Sequence, residues 1–387
     1  MARAAPARRG RAPATGPGQG EQTGLSRLTG GRRPPAPVVP SPWRRALPWL
    51  ILLAIWAASL ALDRAWLALD TTVPAWDQGE YLTGASNHAR LLAAAQPTDP
   101  AWWQTLWQAS TKTPPLVLIA GGAALLVLPP SPDAALWAFA PFSAVLLVAV
   151  FVLGRTLFDA RTGLWAAALV ALLPGLVALR RDFLMDFPLA AMVALATAFL
   201  TGWLWSARRA RAGWGHAAGL GVALGLALLV KQAALMFLLV PLLVAIGAAF
   251  ASLRLGRMLQ MALALALAGG IAAPWYLSDW LLMLTAGNRA VVQSGAAEGD
   301  PTAASLAGWL AYPQMLPGLV SWPVLAAALA ALLLALWRPG RRRGRAWAWL
   351  GLWLGAAYVV ATLIPNKDPR YLLPALPVLA VVAARLL

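Results

Sequence analysis

Pro114–Pro130, PPLVLIAGGAALLVLPP, decides how the rest of this chain is threaded. The stretch is apolar enough for a membrane span, but a proline pair closes each end and Gly121-Gly122 interrupts the middle. Proline and paired glycine both weaken a helix, and seventeen residues are marginal against the ~20 needed to cross ~30 Å of hydrocarbon. It reads as an interfacial or re-entrant helix rather than a crossing, and every later connector depends on that reading.

The setting is plainly a membrane. Of 387 residues, 60% are hydrophobic and only 12% charged, with a mean hydropathy of +0.67, outside the range of a soluble globular domain. Apolar runs of near-spanning length recur from Leu47 to the C-terminus, and no period-two alternation suggests a barrel, so the expected fold is an all-α polytopic membrane protein. The net charge of +17 sits in short arginine segments between apolar runs, where it fixes topology and gives no reason to expect nucleic acid. The chain has no cysteine and two histidines, His88 and His216, which excludes disulfides and thiolate metal sites and leaves little for a histidine-rich one.

Residues 1–46 are rich in Arg, Pro, Gly and Ala, with a single Glu21, and cannot bury a core; they read as a disordered basic cytoplasmic tail. The run Leu47–Leu67 is too long for a signal-peptide core and reads as an uncleaved first span. The remaining basic connectors are Arg155 with Arg161, Arg208-Arg209-Ala210-Arg211, Arg254 with Arg257, and Arg338–Arg345. All of them face the cytoplasm only if an odd number of crossings separates residue 68 from residue 155, so one of the two apolar segments there must fail to cross. With 114–130 set aside, spans fall near 134–154, 162–179, 187–205, 216–231, 233–250, 258–277, 318–337, 346–364 and 371–387. With the first, that makes about ten.

The same count predicts the outer segments: a long first loop over 68–133 with amphipathic pieces such as AWWQTLWQAS, the turn RRDFLMD (180–186), the turn at Lys231, a further loop over 278–317, and NKDPRY (366–371). Glu21 and Asp159 then fall inside, whereas Asp77, Glu80, Asp186, Asp279, Glu298, Asp300 and Asp368 fall outside. Of 31 cationic residues only three are lysine, and Lys112, Lys231 and Lys367 all lie in outer segments. A compact ammonium charge suits a phosphate, although three residues are a small sample. Asp186, before the run FPLAAMVAL, also reads as an ordinary helix N-cap with Pro188 in the first turn, and Asp77 as a solvated loop carboxylate. Together, two carboxylates, three lysines and Arg370 make an inventory for activating a hydroxyl and holding an anionic leaving group.

The order of Asp77 with Tyr81, KTPPL (112–116), LGRTLFDARTGLWAAALVALLPG leading to RRDFLMDFPLAA, GLALLVKQAAL (225–235), APWYL (273–277) and PNKDPRYLLPALP (365–377) resembles the polytopic GT-C glycosyltransferases. The nearest likeness is to bacterial members of the protein O-mannosyltransferase group and to the lipid A aminoarabinose transferase, from about residue 47 to the end. The resemblance implies a GT-C-type helical bundle over 47–387 that transfers a sugar, with inversion, from a polyprenyl-phosphate carrier to a protein, lipid or glycan hydroxyl on the outer face of the cytoplasmic membrane. It implies Asp77 as the base and Asp186 as a second catalytic acid. Glu80, Tyr81, Lys112, Arg181, Lys231, Lys367, Arg370 and Tyr371 would then bind substrate. Gln78 stands where an acidic residue is usual, and Thr113 where many relatives have His. Asp77 and Asp186 are where a divalent cation would bind, a thin donor set without a histidine. The competing reading, a transporter or flippase for a lipid-linked sugar, expects mid-span ionisable residues and inverted repeats, and neither is evident.

Overall fold

The computed structural model describes residues 42–74, 76–206, 210–337 and 341–387, with the compact body spanning Ala46–Leu387. The expected tail lies outside the described residues as far as residue 41, and so do Arg208, Arg209 and Arg338. The described residues contain helices and no strand. They are α1 (Pro42–Leu67), α2 (Asp77–Ala93), α3 (Pro100–Gln108), α4 (Leu116–Val127), α5 (Pro132–Ala135), α6 (Phe139–Leu157), α7 (Ala160–Leu172), α8 (Pro174–Leu179) and α9 (Asp186–Trp205). There follow α10 (Ala210–Val230), α11 (Ala234–Ala251), α12 (Leu255–Asn288), α13 (Ser294–Glu298), α14 (Leu306–Val320), α15 (Trp322–Trp337), α16 (Arg341–Leu363) and α17 (Leu376–Ala383).

Among the described residues seven helices are long and apolar enough to cross a membrane, and an eighth is gained if α14 and α15, bent by 116° at Ser321, count as one. The sequence led us to expect about ten. One expected span, 318–337, is interrupted by that bend, and the other two missing ones are broken at prolines. The run 162–179 is broken because Pro174 cannot continue α7, and Leu173 before it is forced into an extended conformation (φ −62°, ψ 124°). The run 371–387 begins as a 3-10 segment, Pro369–Ala375, because Pro369, Pro374 and Pro377 interrupt regular α-helical bonding.

The stretch that decided the threading forms α4, whose 12 residues span about 18 Å and fall short of a crossing. Its glycine pair has a further, packing role. Gly122 is also where α4 lies directly on α2. A Cβ there would meet Ala89 N at 2.8 Å and Ala85 O at 2.9 Å. In a membrane, where apolar burial adds little between helices, such backbone-to-backbone contact is a main source of association.

The core is α9. It is apolar all round and buried along nearly its whole length, which small residues permit: Ala190, Ala191, Ala194, Ala196 and Ala198 bring α6 and α10 close on either side. Its hydroxyls stay inside the fold. Thr197 Oγ1 donates to Val193 O (2.8 Å), and Trp349 Nε1 donates to Thr201 Oγ1 (2.8 Å). The motif APWYL lies in α12, where Trp275 Nε1 donates to Ser110 O (2.6 Å) and Tyr276 hydroxyl to Leu228 O (3.1 Å). These bonds fasten the long helix to the loop after α3 and to the end of α10.

Candidate active site

Two carboxylates begin helices. Asp77 is the first residue of α2 and Asp186 the first of α9, positions that a helix dipole favours by about 0.3–1 kcal/mol at the surface. Asp77 follows Trp76, whose φ of 49° and ψ of −124° are a strained conformation for a residue with a Cβ. Asp186 is not the N-cap expected from its sequence context; Met185 takes that place, and the Asp186 side chain turns inward to Lys231.

The Asp186–Lys231 pair is short, 2.8 Å from Nζ to Oδ1, and sealed, with the Asp186 side chain only 4% exposed. Lys231 immediately follows α10, so the pair closes the junction of α9 and α10, and its ammonium lies 5.7 Å from the centre of the Tyr371 ring. The second pair, Arg370 Nη1 to Asp77 Oδ2 at 3.1 Å, is open: the Asp77 side chain is 44% exposed and that of Arg370 33%. Arg370 also holds Asp368, through Nε at 2.7 Å and Nη2 at 2.6 Å. Burial by itself would lower the Arg370 pKa, but the Asp368, Asp186 and Asp77 charges outweigh it, so the guanidinium is held firmly charged. Tyr81 is buried within electrostatic reach of Asp77, Asp186 and Glu80, and burial first, then these charges, push its phenol pKa well above the usual range.

Asp77, Gln78, Arg181, Asp182 and Arg370 line a cavity of about 1110 Å³, with Trp66 and Trp76 among its walls. A different face of α2 borders a smaller cavity of about 380 Å³ lined by Glu80, Tyr81 and Lys112, where Lys112 Nζ and Glu80 Oε2 form a 2.7 Å exposed pair. Arg181 reaches the larger cavity with its Nε on Asp63 Oδ1 (3.0 Å) and its guanidinium carbon 4.7 Å from the Trp66 ring centre. Asp63 is buried in α1 and also accepts from Arg180, so one carboxylate fixes both arginines of the 180–186 turn.

The structure therefore brings Asp77, Asp186, Tyr81, Lys231, Arg370 and Tyr371 together, and puts Glu80 and Lys112 beside them on another face of α2. Lys367 is different. Its ammonium is buried and donates to the carbonyls of Thr362 and Ile364 rather than reaching the cavity. Three acids with no expected role also shape the site: Asp63 and Asp368, which hold its arginines, and Asp182 on the cavity wall. Asp182 lies on the same cavity wall as Gln78, and burial, the largest effect on it, raises its pKa while the neighbouring Gln78 side chain opposes that shift. The two acids suggested for a divalent ion each face a cationic side chain, and among the described residues no group of three or more Asp, Glu or His converges.

Comparison with known proteins bears on the fold. The chain matches ArnT from Cupriavidus metallidurans bound to undecaprenyl phosphate with a TM-score of 0.63 and 18% identity, over 89% of this chain and 60% of that one. The chain has the GT-C fold. The oligosaccharyltransferase of Archaeoglobus fulgidus in its apo form matches with a TM-score of 0.53 and 15% identity, over 89% and 51% of the two chains. AglB from the same organism, in complex with an inhibitory peptide and a dolichol-phosphate, matches with a TM-score of 0.53 and 16% identity, over 89% and 50%. The chain thus spans about 60% of the length of the ArnT structure and half that of the oligosaccharyltransferases. Residues 130–285 match the family model for dolichyl-phosphate-mannose-protein mannosyltransferase, and no curated protein matches the chain. The matched segment carries Asp186 and Lys231; Asp77 and Arg370 lie outside it and are joined to it by the GT-C fold alone.

Proposed function

We propose that this chain is an inverting glycosyltransferase that moves a sugar from a polyprenyl-phosphate carrier to an acceptor hydroxyl at the outer face of the cytoplasmic membrane. The observation that carries the reading is the pair of unlike carboxylates: Asp77, accessible in a large cavity, and Asp186, sealed on Lys231. A base must touch the proton it takes, and of this pair it is Asp77 that lines the cavity, which supports it as the base. In this mechanism the Asp77 carboxylate accepts the proton of the acceptor hydroxyl. The hydroxyl oxygen bonds to the anomeric carbon on the face opposite the phosphate. The carbon–oxygen bond to the phosphate breaks, and polyprenyl phosphate leaves with the bonding pair.

Charge develops on the phosphate as that bond breaks, so cations fixed beforehand lower the barrier more than mobile ones. Lys231, held by Asp186, and Arg370, held by Asp368, are fixed in that sense, and Arg181 on Asp63 is a third. Tyr371 packs beside Lys231, and Tyr81 keeps a neutral hydroxyl next to Asp77. ArnT was solved with undecaprenyl phosphate and AglB with a dolichol-phosphate, and the family whose model matches is described by a dolichyl-phosphate-mannose donor; these support a polyprenyl-phosphate donor here. Whether the sugar is a hexose or a pentose, and whether the acceptor is protein, lipid or glycan, rests on the cavity walls. The test is mass spectrometry of the lipid that co-purifies, followed by incubation with a polyprenyl-phosphate-linked sugar. Release of polyprenyl phosphate with transfer to a hydroxyl is expected. Movement of the intact lipid-linked sugar across the bilayer, without cleavage, would overturn the assignment.

A further inference from the structure

The loop that carries Arg370 is held from outside the site. α13 ends at Gly299, whose φ of 73° is a left-handed conformation that glycine adopts without strain, and the chain reverses so that Asp300 N donates to Gly295 O (3.0 Å). The reversal presents Asp300, whose Oδ2 accepts from Lys367 N at 2.7 Å. Beside it, Gly295 lies flat on the same loop: a Cβ there would meet Asn366 N at 2.7 Å and Pro365 C at 2.9 Å.

Lys367 is then fixed twice, by Asp300 at its backbone and by its ammonium on the carbonyls of Thr362 and Ile364 at the C-terminal end of α16, where a cation is favoured. Burial lowers the Lys367 pKa, and the Asp300 charge opposes that shift. From Lys367 the order passes directly to the site. Asp368 Oδ1 accepts from Arg370 N (2.8 Å), its Oδ2 takes the guanidinium, and Arg370 Nη1 reaches Asp77.

We propose that Gly295–Asp300 is a clasp on the 365–371 loop and that Asp300 is a positioning residue for Arg370, acting through the Lys367 backbone. This rests on the reading of Arg370 as a phosphate-binding cation, but the clasp itself has a test that needs no ligand. In the purified full chain, Asp300→Ala is expected to raise amide hydrogen exchange over 366–371 while α9 stays protected. Asp300→Asn keeps an acceptor oxygen and should restore protection.

With undecaprenyl phosphate as the probe, Asp300→Ala should weaken binding about tenfold, the scale of one lost hydrogen bond to a positioned loop, and Asp300→Asn should return it to within about threefold. Arg370→Ala should weaken binding further. Unchanged exchange over 366–371 in Asp300→Ala would overturn the clasp. So would undecaprenyl phosphate affinity equal to that of the unaltered chain in Asp300→Ala when Arg370→Ala is impaired. Equal binding by Arg370→Ala and the unaltered chain would instead overturn the phosphate reading and leave the exchange result to decide the clasp. If Asp300→Ala does not fold, Gly295→Ala, which pushes on the same loop, takes its place with the same expected results.

Discussion

Asp77 and Asp186 have the same side chain, the same position at the start of a helix and the same kind of partner, yet the fold treats them oppositely. Asp186 is shut in with Lys231, 4% against 21% exposed, at a junction of two core helices. Asp77 lies on a cavity wall at 44% exposure, with a guanidinium that also serves Asp368. A closed ion pair fixes charge and structure, while an open one leaves a lone pair for chemistry. What separates the two acids is burial and the company of the partner rather than residue type.

The comparison breaks most visibly if Asp186 is removed. Asp186→Ala leaves the Lys231 ammonium unpaired in a mostly buried place, a loss on the order of 3–5 kcal/mol. Thermal or denaturant unfolding in detergent should show it, and a drop below 1 kcal/mol would mean the pair is not structural. Asp77→Ala, by contrast, should cost less than about 1 kcal/mol by the same measurement, as expected of a pair this exposed.

A smaller effect sharpens the contrast within the cavity. Asp182 carries a raised pKa, chiefly from burial, so the folded chain binds its proton more tightly than the unfolded one does. Its contribution to stability is therefore present at low pH and lost as pH rises through the raised value. Asp182→Asn should gain stability over the unaltered chain as pH climbs out of the ordinary carboxylate range, and the gain should level off once Asp182 is fully ionised. A difference that shrinks with rising pH would contradict the buried placement. The smallest effect belongs to Glu80 and Lys112, both about half exposed; a double-mutant cycle on the pair should give no more than ~1 kcal/mol.

Much of the bundle was legible in the sequence because helix length and apolar content are local. The marginal length of 114–130 pointed to a short helix, and α4 is one. Proline positions were legible too, but not that Pro174 and the prolines across 369–377 would break two spans; with the bend at Ser321 interrupting a third, about ten expected spans are seven continuous ones among the described residues. The packing role of the glycine pair was not legible, because the neighbours it admits, α2 at Gly122 and Phe183 at Gly121, are named by no local pattern. The site was visible as an inventory, not as pairings. Arg370 and Asp77 lie 293 residues apart and Arg180 and Asp63 117 apart, and only tertiary structure joins them. For the same reason Lys367, grouped with the other lysines by type, turned out to hold backbone carbonyls.

The central claim is that the open carboxylate does the chemistry and the closed one does not touch the acceptor. The direct measurement is single-turnover sugar transfer by purified Asp77→Asn, which keeps the shape and an acceptor oxygen for Arg370 but cannot take a proton. The account predicts a rate lower by about 10²–10⁴ with unfolding behaviour close to that of the unaltered chain. Transfer by Asp77→Asn within a few-fold of the unaltered rate would contradict it.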